Sequence, residues 1–438
     1  MSRLGPADAT YEFLRRALGW SVVLQVVWVF DEAIPAEAIV SMNTWLSRGR
    51  LHRRLVAAGI PGARPRWVPA DGPPEPVFDH VPVGPSQIES WAGSEMAAVD
   101  LDAAAGRCWR LRSAPTDSGG TVLSLCALHL VADGRTLVRA AGEAMSHTAP
   151  PAPADLGGDL VSEVKDAAAQ VCAGFAGVAA AGVGALVGLA GTRTADTVAT
   201  RPARSPSADR APRARPLWAT ASVPAAEWDS VARRHGGTPN SLYIAVVTGL
   251  LRSGGYAPLG DPIKVGVPVD VRAAGDDSSN ATAGVSMMLT DDPTPGGSLT
   301  AIRGVCKDAF LSLAGRRAEP GDLTALVWLL PSTWLIGAVS AGNGMPDAMV
   351  SNLGDIDERA VRLGSATARR TAFRGIAQGV DPALPYRFGD GVQAWLLRGH
   401  DEVIFCVAGF DESVFGDGRL RRLLAQELAD WQLTHDIW

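Results

Sequence analysis

The stretch Leu123-Ser124-Leu125-Cys126-Ala127-Leu128-His129-Leu130-Val131-Ala132-Asp133-Gly134-Arg135 decides how the rest of the chain is read. The apolar run from Thr121 to Leu130 follows Gly119-Gly120, and its length and bounding glycines predict a buried strand rather than a helix. Asp133-Gly134 then supplies a tight turn, and Arg135 to Met145 reads as a helix. His129 is therefore expected where a strand ends and the chain turns, so that a rigid scaffold holds the side chain while the turn leaves it accessible. An imidazole there can take a proton from a hydroxyl, amine or thiol near neutral pH. A carboxylate four residues on can orient the ring, or pair with an arginine and fix the turn. A satisfied core histidine beside a turn aspartate is the plainer alternative.

At 438 residues the chain has room for two domains of roughly 200 residues each. Hydrophobic residues make up 47% and charged ones 20%, a globular composition. A net charge of -6 argues against nucleic acid as a partner. The five cysteines, Cys108, Cys126, Cys172, Cys306 and Cys406, are scattered, and no pair has metal-site spacing. They read as reduced core residues of a cytoplasmic protein with no metal. The opening residues lack an apolar signal-peptide core.

Upstream of the motif, helices are expected within residues 1–18, at Ala36 to Leu46 and at Pro85 to Val99. Strands are expected at Trp20 to Phe30 and Val77 to Val83, and Arg110 to Ser113 leads into a strand pairing with that of His129. Residues 167–192 carry no charge and are rich in Ala, Gly and Val. Length alone allows a membrane span, but a span would separate His129 from the second half of the chain. A buried or surface-lying helix is expected, with peripheral membrane contact as the alternative. Residues 192–215, rich in Pro, Ser and Arg, read as a linker. It divides an N-terminal unit, 1–191, from a C-terminal unit, 216–438. The second unit shows a strand at Pro216 to Val223 and a helix from Pro224 to His235. Thr238 caps a helix running to Leu251, strands follow at Ile263 to Val269 and Gly284 to Leu289, and a packing helix spans Gly418 to Leu433.

The Leu-His-Leu-Val-Ala-Asp-Gly stretch resembles the H-H-x-x-x-D-G motif of the condensation-domain and CoA-dependent acyltransferase superfamily, with Leu128 in place of the first histidine. Gly5-Pro6-Ala7-Asp8-Ala9, Pro65-Arg66-Trp67 and Leu101-Asp102 through Trp109 are similar, in order, to the S-P-x-D-A, P-R-W and L-D-x-x-x-P-L-W segments of wax ester synthase/diacylglycerol acyltransferases, although Arg107-Cys108 replaces the Pro-Leu. In the second half, Asn240 matches a G-x-T-x-N-D helix start, with Ser241 where aspartate is usual. Pro268 to Arg272 matches P-V-x-x-R. Asn280 matches a G-N pair, with Ser279 for the glycine, and Val350 to Gly354 resembles the S-N-x-P-G strand end.

The resemblance implies an α/β fold of two acyltransferase-like subdomains. Each is a mixed sheet with helices, and together they form a V with a central tunnel and the histidine at its midpoint. It implies transfer of an acyl group from a thioester, acyl-CoA, to an alcohol such as a diacylglycerol or long-chain alcohol, or to an amine. No cofactor is implied. His129 is the expected general base and Asp133 its companion in the catalytic motif. Asn240, Arg272, Asn280 and Asn352 are expected at the substrate, with Asn280 and Asn352 as oxyanion donors. Gly134 and Arg54 are expected to be structural, and Arg272 or Arg54 to pair with Asp133. Two other readings stand beside this one. One is a stand-alone condensation-like enzyme taking its acyl group from an acyl carrier protein for specialised metabolism. The other is a non-catalytic homologue that binds an acyl chain or a partner; Leu128 and Ser241 argue for it.

Overall fold

Residues 2–148, 160–190, 212–273, 275–290, 294–316, 325–330, 346–382 and 391–438 are described by the computed structural model. Two mixed sheets organise them. In the first, of five strands, Thr121–Leu128 lies at the centre with all its residues buried. Ser21–Phe30 and Trp109–Pro115 flank it antiparallel, pairing Gln25 with Cys126 and Leu111 with Leu125. The continuous apolar run of the sequence thus reflects cover on both sides. Arg370–Gln378 adds a strand beside Ser21–Phe30, so a segment from late in the chain completes the sheet that carries the motif.

The second sheet has seven strands in the order Thr282–Leu289, Ile263–Asp270, Ala348–Asp355, Val392–Arg398, Glu402–Asp411, Pro212–Pro224 and Asp436–Ile437. Ala348–Asp355 runs parallel to both neighbours, and the other pairings are antiparallel. Each sheet has its own apolar core, one centred on Trp28, Trp109 and Leu128 and the other on Trp228, Tyr243 and Phe405. A smaller cluster, including Val27, Ala372, Ile404, Cys406 and Trp438, fills the seam between them. A buried polar network crosses the same seam. Arg374 pairs with Glu89 and donates to Gln25 Oε1 at 2.8 Å, while the Thr220 hydroxyl donates to Glu89. Such a network needs every member satisfied, because a buried charge without its partner is costly.

Several boundaries differ from the sequence reading. The motif strand ends at Leu128 rather than Leu130, because the chain turns there and Val131 N bonds back to Leu128 O at 3.0 Å. The basic piece after Arg48 contains a short strand, Arg53–Val56, paired with Arg66–Pro69. The strand expected at Pro216 begins at Pro212, inside the expected linker, whose residues up to 211 lie outside the described residues. Residues 167–190 of the uncharged segment belong to a longer helix, Leu160–Ala190, and 191–192 lie outside the described residues. Its first turns are tied to the N-terminal half: Glu163 accepts from Gly59 N and Ile60 N, and Asp166 pairs with Arg64. Among the described residues no helix is long and apolar enough to cross a membrane. Cys108, Cys126, Cys306 and Cys406 are buried as expected of core residues, but Cys172 is exposed on this helix.

Candidate active site

The Gly134–Met145 helix starts at Asp133. The Asp133 Oδ1 accepts from Thr136 N at 3.0 Å, satisfying one of the first free backbone donors of the helix. Its other oxygen is held from the second half of the chain: Arg272 Nη2 donates at 2.6 Å and Ala281 N at 3.1 Å. The motif turn is therefore locked between the halves. Gly134 is required by crowding. A Cβ there would come within 2.7 Å of Leu353 Cδ2 and 3.0 Å of Phe373 Cζ, far inside van der Waals contact.

Of the two arginines expected at Asp133, Arg272 makes the pair. Arg54 is exposed on its short strand. Its neighbour Arg53 is the buried one. It donates to Val131 O at 2.9 Å and Ser279 Oγ at 2.6 Å, lies 4.8 Å over the Trp67 ring, and is brought down by burial to about 10. Alternation explains the swap: residues 53 and 54 of a strand point to opposite faces.

His129 sits in the turn, its backbone N donating to Val22 O at 2.8 Å. Leu128, in the apolar core, has the strand parity of Ser124 and Cys126. Ser124 accepts from Gln25, whose amide also reaches Ala92 O. That face lies under the Ile88–Ala98 helix. Leu128 and His129 thus have separate surroundings despite being adjacent.

Asn280 ties the histidine turn to the N-terminal helix, Pro6–Leu18. Its Nδ2 donates to Asp8 Oδ1 at 2.7 Å, His129 O at 2.9 Å and Leu130 O at 3.2 Å. These three acceptors fix the amide orientation. Asn280 Oδ1 and His129 Nδ1 are both buried, and neither has a partner in ordinary hydrogen-bond geometry. Burial lowers the His129 pKa, opposed by its own backbone carbonyl, by Asp133 and by the Asn280 side chain. The other ring nitrogen, Nε2, faces the Tyr11 hydroxyl.

Tyr11 Oη lies 2.9 Å from Nε2, and the two rings stack at 4.0 Å with an angle of 19°. Asp8 and Tyr11 are three apart on one helix face, so the Asp8–Asn280 bond that supports the His129 turn also sets Tyr11 on the ring. The Asp8 carboxyl is pushed up by burial, against the pull of Asn280 and of Gly5 N.

Asn352 and Asn240 form a second group, with Asn352 Nδ2 reaching Asn240 Oδ1 at 3.3 Å. Neither hydrogen-bonds to His129. Ser241, where the family pattern has aspartate, is buried in the helix cap, its N donating to Thr238 Oγ1 at 3.1 Å. A cavity of about 230 Å³ opens between the motif helix and the Leu353–Arg359 segment. Arg135, Val138, Arg139, Leu353 and Arg359 are among its lining, and His129 is not. The sequence reading missed Tyr11, Arg53 and Ser279 as site residues. Asp8 was legible only as a position in the first matched segment and Tyr11 only as a residue of the expected N-terminal helix, because nothing local says that a helix at residue 6 closes over residue 129.

This two-sheet arrangement is the fold of the condensation-domain and CoA-dependent acyltransferase superfamily. Solved structures align along nearly the whole chain. The wax ester synthase/diacylglycerol acyltransferase from Marinobacter aquaeolei VT8 is 16% identical, with a TM-score of 0.59 over 98% of this chain and 99% of that one. The first condensation domain of the calcium-dependent antibiotic synthetase is 15% identical, with a TM-score of 0.60 over 98% and 97%. F. sporotrichioides TRI101, solved with coenzyme A and T-2, is 13% identical, with a TM-score of 0.60 over 99% of both chains. No protein-family model matches the sequence, and no curated protein matches it.

Proposed function

We propose that the chain is an acyltransferase that moves an acyl group from a thioester to an alcohol, with His129 as general base. The observation that carries this reading is the placement of His129: Asn280 holds its turn through His129 O and Leu130 O, its Nε2 meets the Tyr11 hydroxyl, and burial favours the neutral ring, on the turn of an acyltransferase-type fold. The acceptor oxygen gives its proton to Nε2 as it attacks the thioester carbonyl, and the ring then protonates the departing thiolate. Such a base is worth about 10²–10⁴-fold, and holding both substrates in place adds to it. Asp133 and Arg272 act by fixing the motif turn. Asn240 and Asn352 are the asparagines of the second half proposed to meet substrate.

Acyl-CoA is the proposed donor, and a long-chain alcohol or diacylglycerol the proposed acceptor, by likeness to the wax ester synthase. No cofactor takes part. The proposed setting is cytoplasmic, with the exposed Leu160, Val164, Val171 and Phe175 of the long helix offering a peripheral lipid contact. The competing reading is a non-catalytic binding homologue, favoured by the fact that His129 does not line the described cavity. Incubating the purified protein with a panel of acyl-CoAs and mixed alcohols, followed by mass spectrometry, separates the two. Ester formation supports the enzyme. Recovery of unaltered thioesters across the panel supports the binding homologue.

A further inference from the structure

We propose that Tyr11 is a catalytic residue of this site, its hydroxyl donating a hydrogen bond to the oxyanion formed on the thioester carbonyl. This rests on the acyl-transfer reading above and adds the group that the reading lacks. A base alone does not stabilise the tetrahedral intermediate; a preorganised donor aimed at the developing charge is commonly the larger contribution.

Neither of the two asparagines expected to supply that donor hydrogen-bonds at the base nitrogen. Asn280 spends its amide nitrogen on Asp8, His129 O and Leu130 O, and Asn352 turns its own toward Asn240. Tyr11 carries a hydroxyl to within 2.9 Å of the base nitrogen. The stacking geometry decides what that hydroxyl can do. The Nε2 lone pair lies in the imidazole plane, whereas a near-parallel ring 4.0 Å away brings its hydroxyl to Nε2 from the ring face. The in-plane direction is left for the acceptor oxygen, and the tyrosine hydroxyl stands beside the line of attack.

The step balances without further reactants. The acceptor O–H proton passes to Nε2 as the oxygen bonds to the carbonyl carbon, and the carbonyl π pair moves onto its oxygen, where the Tyr11 O–H donates. Collapse re-forms the C=O bond and breaks the C–S bond, and the thiolate takes the proton from Nε2. A hydroxyl in this role must stay protonated, and burial raises the Tyr11 pKa well above its ordinary value. The ring is set independently of substrate by the Asp8–Asn280 bond one helical turn away.

The test is Tyr11→Phe in the full chain, assayed by thiol release from palmitoyl-CoA with hexadecanol and from the acyl-CoA panel above. The variant keeps the stacked ring, so the melting temperature is expected to hold. The expected result is a fall in kcat of about 10²–10³-fold, with KM for the thioester little changed and the acid limb of the pH profile unmoved. Unchanged kcat overturns the proposal, as does a loss confined to KM. A displaced acid limb also overturns it, since the hydroxyl would then be acting on the ionisation of His129. If the wild-type protein releases no thiol from any member of the panel, the acyl-transfer reading falls and this proposal with it. A silent hydroxyl in an active wild type defeats only this proposal.

Discussion

Arg272 Nη2 stands 2.6 Å from Asp133 Oδ2, joining a loop of the second half to the turn that carries His129. Both side chains are largely buried, and the same carboxylate caps the motif helix and accepts from Ala281 N. Asp133 is thus placed to hold the site together rather than to meet substrate. Asp133→Asn leaves the guanidinium facing a neutral amide, and losing one partner of a buried pair costs about 3–5 kcal/mol. Denaturant unfolding is expected to show a loss of that order, with activity falling alongside it. A variant as stable and active as the wild type would refute the role.

The His129 ring is held neutral by burial, so the base form is the resting form. Acyl transfer is expected to be flat through pH 7–8, and kcat/KM to fall only below the ordinary histidine range near about 6.5. Asn280 favours the protonated ring, so Asn280→Ala removes a raising influence and should move the acid limb to still lower pH. It should also cut kcat by loosening the turn that carries the ring. A limb above the ordinary range, or one that rises in the variant, would contradict the assigned geometry.

Glu427 gives a pH effect on stability that does not involve His129. Its carboxyl is buried against Gly249, where a Cβ would come within 2.7 Å of both its oxygens, and it accepts from Trp431 Nε1 at 3.1 Å. Burial raises it from 4.5 to about 7. The folded state therefore keeps a proton that the unfolded chain releases, so this contribution is full below the unfolded pKa and is lost as pH rises towards 7. Glu427→Gln, which cannot ionise, should flatten that part of the curve. Melting temperatures at pH 5 and pH 8 for both proteins check it; equal pH dependence would count against a buried neutral carboxyl.

Much of this was legible in the sequence because local pattern and packing agree. The apolar run, the Asp-Gly turn and the helix after it each have one physical solution, and the structure places His129 where that pattern puts it. The partner of Asp133 was narrowed to two arginines, and register chose between them: Arg54 points outward from its strand while Arg272 reaches the turn from the other half. The support of the ring was not legible. It depends on Asn280 and Asp8 meeting across the fold, a contact between residues 272 positions apart that leaves no local trace. The contribution of Arg370–Gln378 to the first sheet is hidden for the same reason, since an antiparallel edge strand carries no label for the sheet it joins.

The central claim is that His129 does chemistry while its neighbour Leu128 only packs. Single-turnover acyl transfer and melting temperature, measured together on His129→Ala and Leu128→Ala, test it most directly. The account predicts that His129→Ala loses about 10²-fold or more in rate with the fold nearly intact. It predicts that Leu128→Ala loses about 2–5 kcal/mol of stability with turnover per folded molecule barely changed. A His129→Ala protein that transfers acyl groups at the wild-type rate would contradict the account and leave a binding role as the better description.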